Sequence, residues 1–357
     1  MKFSRFKPVK RIRKSSPNPL KYLRLHRAEF GHEFKKRINK KNVKNFYYPD
    51  VTSLKKKLSI FHSLPYNFIN LGSGAESLIK DVFIWHSKKY NARNVGFGVP
   101  IYNMYSIYAK IFDYKKFNFY YDPEQSHFLN YEYIINFVKK NKISLLVMVN
   151  PSHPFEKNWT QNDLKKIISF CKKKNVIVLL DEVYQGEKKL SASVLTKKYN
   201  NLIILRSFSK AFGLPAIRVG YTLACVKLNN FIETFRLSTE IPQSSIDKGL
   251  DILTNYDSEA KKRFRKIDKA RKLARAEFEK RGLQSYNDNV NSVSANLIKK
   301  KNAKFIGESL KKNKIFINYN YPKNLNKYIN LTTTHTSNVK FFFKKFDMIA
   351  KKLFLKI

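Results

Sequence analysis

"IILRSFSKAFGLPAIRVGY" (203–221) sets an apolar run against a lysine ringed by small hydroxyls, then supplies an arginine and glycines. In a chain with a formal net charge of +45, one more lysine carries no information by itself. The surroundings of Lys210 do. Ser207 and Ser209 precede it, Gly213 follows, and Arg218 comes after the turn. The apolar run reads as a buried strand, so this polar cluster falls where the strand runs out.

Upstream the same grammar repeats. "ISLLVMVN" (143–150) and "VIVLLDEVY" (176–184) are near-continuous apolar runs of strand length. Between them "TQNDLKKIISFCKKKN" (160–175) places Leu164, Ile167, Ile168 and Cys171 on one helical face, with Thr160 and Asp163 as an acidic variant of the capping box. Strands apolar on both sides and separated by helices predict an α/β fold with a mostly parallel sheet covered on both faces. Ligands in such sheets sit at the carboxyl ends of the strands. Each of these strands ends in polar candidates: Asn150 to His153, Asp181 to Tyr184, and Ser207 to Lys210.

Before them, "FINLGSGAESLIKDVF" (68–83) reads as a short strand, a Gly-rich turn and a helix with Leu78, Ile79, Val82 and Phe83 inward. After them, residues 257–281 form a long charged helical pattern leading to a smaller α+β unit. There "SVSANLIKK" and "KIFINYN" are candidate strands, and "AKFIGESLKKN" and "NVKFFFKKFDMIAKKLF" candidate helices. The expected division is an N-terminal segment over 1–45, a large domain over 46–250 and a small C-terminal domain over 251–357.

Composition narrows the class. With 43% hydrophobic and 15% aromatic residues the chain can build a core. No apolar stretch approaches the roughly 20 residues that span a bilayer. The basic start lacks the apolar region of a secretory signal. Two cysteines, Cys171 and Cys225, give neither a disulfide framework nor a metal-ligand spacing, so a cytoplasmic setting is expected and no metal. The lysines accompany abundant Asn, Ile, Phe and Tyr and are spread along the solvated sides of amphipathic segments. That is the pattern of an AT-rich coding bias rather than of a nucleic-acid-binding patch.

Together these pieces, from about "YLRLHRAEFG" to the final helix and most densely over 145–221, resemble the fold-type I pyridoxal-phosphate-dependent aminotransferases of class I/II, in their histidinol-phosphate aminotransferase branch. The resemblance implies pyridoxal 5'-phosphate as cofactor and a homodimer. It makes Lys210 the amine that forms a Schiff base with the cofactor and later shuttles the substrate proton. Such an amine must be neutral part of the time, which nearby cations and partial desolvation favour. The resemblance makes Ser207, Ser209 and Arg218 phosphate contacts, joined by backbone N–H groups of "GSGAES" at Gly74, Ala75 and Glu76, where a helix N-terminus favours an anion. Asp181 would pair with the pyridine nitrogen and keep the ring an electron sink, and Tyr184 would meet its O3' oxygen. Tyr102 in "VPIYNMY" matches the aromatic that stacks on the ring, with Tyr105 the weaker candidate. Tyr48 in "FYYPD" matches a tyrosine reaching the phosphate of the neighbouring subunit, with Tyr47 as competitor.

Two departures stand out. Relatives carry "NPNNPTG" where this chain has "NPSHPFE", so His153 replaces the asparagine at O3'. Relatives also carry arginines where this chain has Asn330 in "YINLTTTH" and Asn318 in "KIFINYN". Asparagine cannot offer a charged fork to a carboxylate. This argues against histidinol phosphate as substrate and leaves Arg27 or a lysine as substitute anion contacts. The expectation is therefore a transaminase moving an amino group between an amino donor and a keto or aldehyde acceptor. Its alternatives are a decarboxylase like those acting on threonine phosphate, or a cofactor-binding paralogue with little activity.

Overall fold

The computed structural model describes residues 47–354, apart from 122–123, 125–128, 156–157, 187–190, 238–239, 287–290 and 323–324. The expected N-terminal segment over 1–45, Arg27 within it, lies outside the described residues. In chain order the first part comprises α1 (Thr52–His62), β1 (Ile69–Ser73), α2 (Gly74–Lys89), β2 (Asn94–Val99), α3 (Met104–Ile111) and β3 (Lys115–Tyr120). It continues with α4 (Tyr131–Lys140), β4 (Leu145–Val149), α5 (Gln161–Lys173), β5 (Ile177–Asp181), β6 (Leu202–Ser207) and β7 (Val219–Ala224). Helices α6 (Val226–Thr234) and α7 (Gln243–Thr254) follow.

The seven strands form one sheet in the order β1-β7-β6-β5-β4-β2-β3. All its pairings are parallel except those of β7, which runs against both β6 and β1. Alternation explains the unbroken apolar strands. Leu146, Met148, Val178, Leu180 and Ile204 face one core, whereas Leu145, Val147, Leu179, Ile203 and Leu205 face another. Both faces are buried, so on these strands polar residues appear only at the last positions, Asp181 on β5 and Arg206 and Ser207 on β6.

The reversed strand matters for the site. The parallel strands finish at one rim, and an antiparallel strand must begin there. β7 does so immediately after Arg218, with Ser207 opposite Gly220 and Ser73 opposite Val219. An arginine at the start of one strand and serines at the ends of two others thereby meet.

On α5 the Thr160 hydroxyl caps the helix, accepting from the Asp163 N–H at 3.0 Å and donating to the Asp163 carboxylate at 2.7 Å. The apolar face buries Leu164, Ile167, Ile168 and Cys171, as their spacing predicts. On α2, Leu78, Ile79, Val82 and Phe83 are likewise buried.

The charged helical pattern opens with a single π-helical turn over Tyr256–Ala260 and continues as α8 (Lys261–Glu279). β8 (Ser285–Tyr286), β9 (Ser292–Asn296), α9 (Lys300–Lys312), β10 (Tyr328–Thr332) and α10 (Thr336–Phe354) complete the smaller unit. Its antiparallel sheet has the order β10-β9-β8, and Phe278, Val293, Ile306, Ile329, Phe342 and Phe346 share a third core. "KIFINYN" is not a strand there. Asn318 makes an isolated bridge with Asn330. Ile315, Ile317 and Tyr319 turn to the core, and the Tyr319 ring lies where a side chain on Gly307 of α9 would be. That contact holds the segment on the helix instead of in the sheet. Among the described residues no helix is long and apolar enough to cross a membrane.

Candidate active site

A cavity of about 750 Å³ opens where the large sheet's parallel strands end and the smaller unit begins. Ala75, Glu76, Tyr102, His153, Asp181, Tyr184, Ser207, Ser209, Lys210 and Arg218 all line it. Gly74 sits directly behind this wall. Tyr48 does not line the cavity and is 52% exposed, whereas Tyr47 is buried.

One end is built for an anion. α2 starts at Gly74 with φ +74, and the Gly74 N–H donates to the Arg218 carbonyl at 2.9 Å. Ser73 supplies no side-chain cap, so the N–H groups of the first turn keep the unspent donors and partial positive charge of a helix N-terminus. A Cβ on Gly74 would stand 2.5 Å from Arg218 Nη2, which places the guanidinium against that turn. A Cβ on Gly220 would stand 2.4 Å from the Gly74 carbonyl carbon, so the strand and the turn pass too closely for any side chain there. The Ser207 hydroxyl accepts from the Ser209 N–H at 3.0 Å, folding the chain after β6 so that Lys210 faces the cavity.

Asp181, Tyr184 and His153 form another part of the lining. Asp181 closes β5 and is 5% exposed. Burial pushes its carboxyl up to about 6, against the opposing pull of the Val183 N–H at 3.0 Å and the Tyr105 hydroxyl at 2.7 Å. The Lys210 ammonium lies 5.9 Å from the centre of the Tyr184 ring. Burial, and then the Asp181 charge, raise the Tyr184 phenol. His153 lies 4.6 Å from Tyr184, centroid to centroid, tilted by 43°. Burial and the nearby Lys210 hold its imidazole down to about 4, so it is neutral at pH 7.

Tyr102 is 54% exposed on the cavity wall and donates to Glu76 Oε2 at 2.9 Å. Tyr108 also donates to this carboxylate, at 3.4 Å to Oε1. Tyr105, one helical turn on, points the other way into the core and anchors Asp181. The sequence makes Tyr105 a weaker candidate for stacking and gives no sign of this anchoring. Tyr321 and Asn320, which close the cavity from the smaller unit, had no sequence signal at all.

Asn318 lines the cavity, but Asn330 is buried behind it at 1% exposure. Asn330 Nδ2 donates to the hydroxyls of Ser292 at 3.1 Å and Ser294 at 2.9 Å.

Residues 22–339 match the family model of the aminotransferases of class I and II, nearly the whole chain. The chain belongs to the aminotransferase class I and II family. Histidinol-phosphate aminotransferase of Clostridium novyi (strain NT) is 29% identical over 289 residues, covering 81% of this chain and 78% of that protein. Dihydroxyacetone phosphate transaminase of Campylobacter jejuni subsp. jejuni is 28% identical over 231 residues, covering 63% and 60%. Among solved structures, histidinol-phosphate aminotransferase from Sinorhizobium meliloti in complex with pyridoxal-5'-phosphate superposes with a TM-score of 0.77 at 19% identity, covering 87% and 84%. As a member of this family the aminotransferase is an enzyme that uses pyridoxal phosphate.

The donor set suits that cofactor. A phosphate dianion finds a guanidinium, two hydroxyls and a helix N-terminus at one end of the cavity. An aldehyde would find a primary amine, and a protonated ring nitrogen a buried carboxylate.

Proposed function

We propose that this aminotransferase transfers an amino group between an amino donor and a keto or aldehyde acceptor, and that histidinol phosphate is not its substrate. One observation supports the reading above all: the Lys210 amine and the Asp181 carboxylate open into the same cavity, whose far wall is the N-terminus of α2 with Arg218 beside it.

In this reading Arg218, Ser207, Ser209 and the first N–H groups of α2 hold the phosphate. Asp181 would hold the pyridine nitrogen, Tyr184 and His153 would meet O3', and Tyr102 would stack on the ring. Bound there, the cofactor supplies an electrophilic carbon and an electron sink. Lys210 carries the chemistry that belongs to the chain. Its amine would hold the cofactor aldehyde and would carry the proton between the substrate α-carbon and the cofactor side. Tyr48 is exposed, as a residue reaching into a second subunit must be before assembly. Its burial leaves Tyr47 unable to serve in that way.

Against histidinol phosphate stands the uncharged side chain at Asn330, spent on two serines. The relative named as a dihydroxyacetone phosphate transaminase has, on that name, a small ketone as its substrate, which agrees with a compact acceptor here.

The test is direct. Purified protein given pyridoxal phosphate develops a visible absorption band, and a panel of amino donors converts that band in the half-reaction. A protein that stays colourless and takes up no cofactor refutes the reading. One that takes up cofactor but responds to no donor is the inert paralogue.

A further inference from the structure

We infer that Glu76 is a positioning residue: its carboxylate holds the Tyr102 phenol so that this exposed ring stays on the cavity wall, where it would stack on the cofactor ring. The inference rests on the cavity being the aminotransferase site and adds a residue that shapes the site through its side chain as well as its backbone.

Ser73 and Glu76 have the spacing of a capping box, and Ser73 is the N-cap of α2. The box does not close, because the Ser73 side chain makes no cap hydrogen bond. The Glu76 carboxylate turns toward α3 instead. Its Oε2 accepts from the Tyr102 hydroxyl at 2.9 Å and its Oε1 from the Tyr108 hydroxyl at 3.4 Å. Tyr108 is buried and packs on Phe83 and Phe112, so it braces the carboxylate from the core side. Burial first, and then Glu76 itself, raise both phenols, so each keeps its proton and remains a donor.

Tyr102 needs such a hold. With the residue half exposed, packing fixes its ring poorly. The Tyr105 N–H donates to the Tyr102 carbonyl at 3.1 Å, which orders the main chain and leaves the side-chain torsions free. A hydrogen bond from the phenol tip to a carboxylate confines those torsions, so the ring is ordered before the cofactor arrives and not on binding.

The charge on Glu76 makes this role separable from others. Glu76 belongs to the first turn of α2, whose N–H groups would hold a phosphate dianion, and like charges there repel. Removing a carboxylate that did nothing more would tighten cofactor binding, whereas removing the hold on Tyr102 would weaken it. A carboxylate that served the helix dipole alone would act whether or not residue 102 carried a hydroxyl.

Pyridoxal phosphate is titrated into the cofactor-free protein while the absorbance and circular dichroism of the visible band are followed. Glu76→Ala and Tyr102→Phe are each expected to raise its Kd about fivefold or more, the scale of one hydrogen bond to a charged group. Each is also expected to lower the dichroism per bound cofactor, which reports the asymmetry around the ring. Once the phenol is gone Glu76→Ala removes only a charge, so the double variant should bind no more weakly than Tyr102→Phe. Glu76→Gln, which keeps a carbonyl oxygen for the phenol, should retain the wild-type dichroism. A Glu76→Ala Kd at or below the wild-type value, losses that multiply in the double variant, or dichroism that Glu76→Ala leaves intact or Glu76→Gln fails to retain overturns the inference while the enzyme reading stands. If no visible band forms, that reading falls and this one falls with it.

Discussion

The Tyr105 hydroxyl donates to Asp181 Oδ2 at 2.7 Å, joining α3 to the end of β5 across 76 residues of chain. Tyr105 is fully buried, and the bond together with the Val183 N–H fixes both carboxylate oxygens in place. Tyr105→Phe removes one of two donors to a buried carboxylate. The expected cost is about 1–3 kcal/mol of stability, read by urea unfolding without cofactor. A fall of about tenfold in the half-reaction rate is expected with it, equivalent to about 1.4 kcal/mol. An unchanged unfolding curve would show that Asp181 is held by other means.

Asp181 also gives a pH dependence with a definite sign. Its folded carboxyl, at about 6, lies above the usual carboxylate value of 3.8, so between about pH 4 and 6 the folded chain binds more protons than the unfolded one. Stability from this group therefore falls as pH rises through that window. His153 and His86, held down to about 4 and about 3 by burial, act in the opposite direction. In Asp181→Asn only the rising contributions remain. The variant's Tm without cofactor should then climb more from pH 4 to pH 6 than the wild type's, as thermal unfolding across that range will show.

Lys210→Ala should abolish the visible band that the lysine-bound cofactor gives and reduce transamination by roughly 10³-fold or more, since one side chain serves as both nucleophile and proton carrier. Absorbance and single-turnover rates measure the two effects. Retention of the band would move the reactive amine elsewhere.

Gly220→Ala should be more damaging than Gly74→Ala. The first drives a methyl into the backbone of the α2 turn, and the second meets the mobile end of Arg218. For Gly74→Ala the positive φ sets a cost of about 1–2 kcal/mol and a weaker hold on cofactor phosphate, measurable as a raised Kd for pyridoxal phosphate. Gly220→Ala should exceed that in thermal unfolding, because backbone cannot step aside.

Beneath the site Arg206 and Glu182 form an ion pair at 2.9 Å, both within 1% of full burial, and Glu182 also accepts from the Ser191 hydroxyl and the Ala192 N–H. Arg206→Met strands the carboxylate and should cost about 3–5 kcal/mol in denaturant unfolding. A loss below about 1 kcal/mol would mean that water reaches Glu182.

Local pattern alone placed β4, β5, β6 and α5, because strands buried on both faces and a helix with one apolar stripe write their burial into consecutive residues. It also brought Asp181, Lys210 and Arg218 into view, since such strands turn polar toward their ends. The segment "KIFINYN" deceived it: alternation is a property of one face, and whether that face meets a sheet or a helix depends on Tyr319 finding Gly307. Nothing along the chain announces that Tyr105 holds Asp181, or that Asn330 reaches His153 through Ser292. Those are hydrogen bonds between distant residues, and their partners are selected by the sheet order and by the reversal of β7, which exist only once the chain has folded.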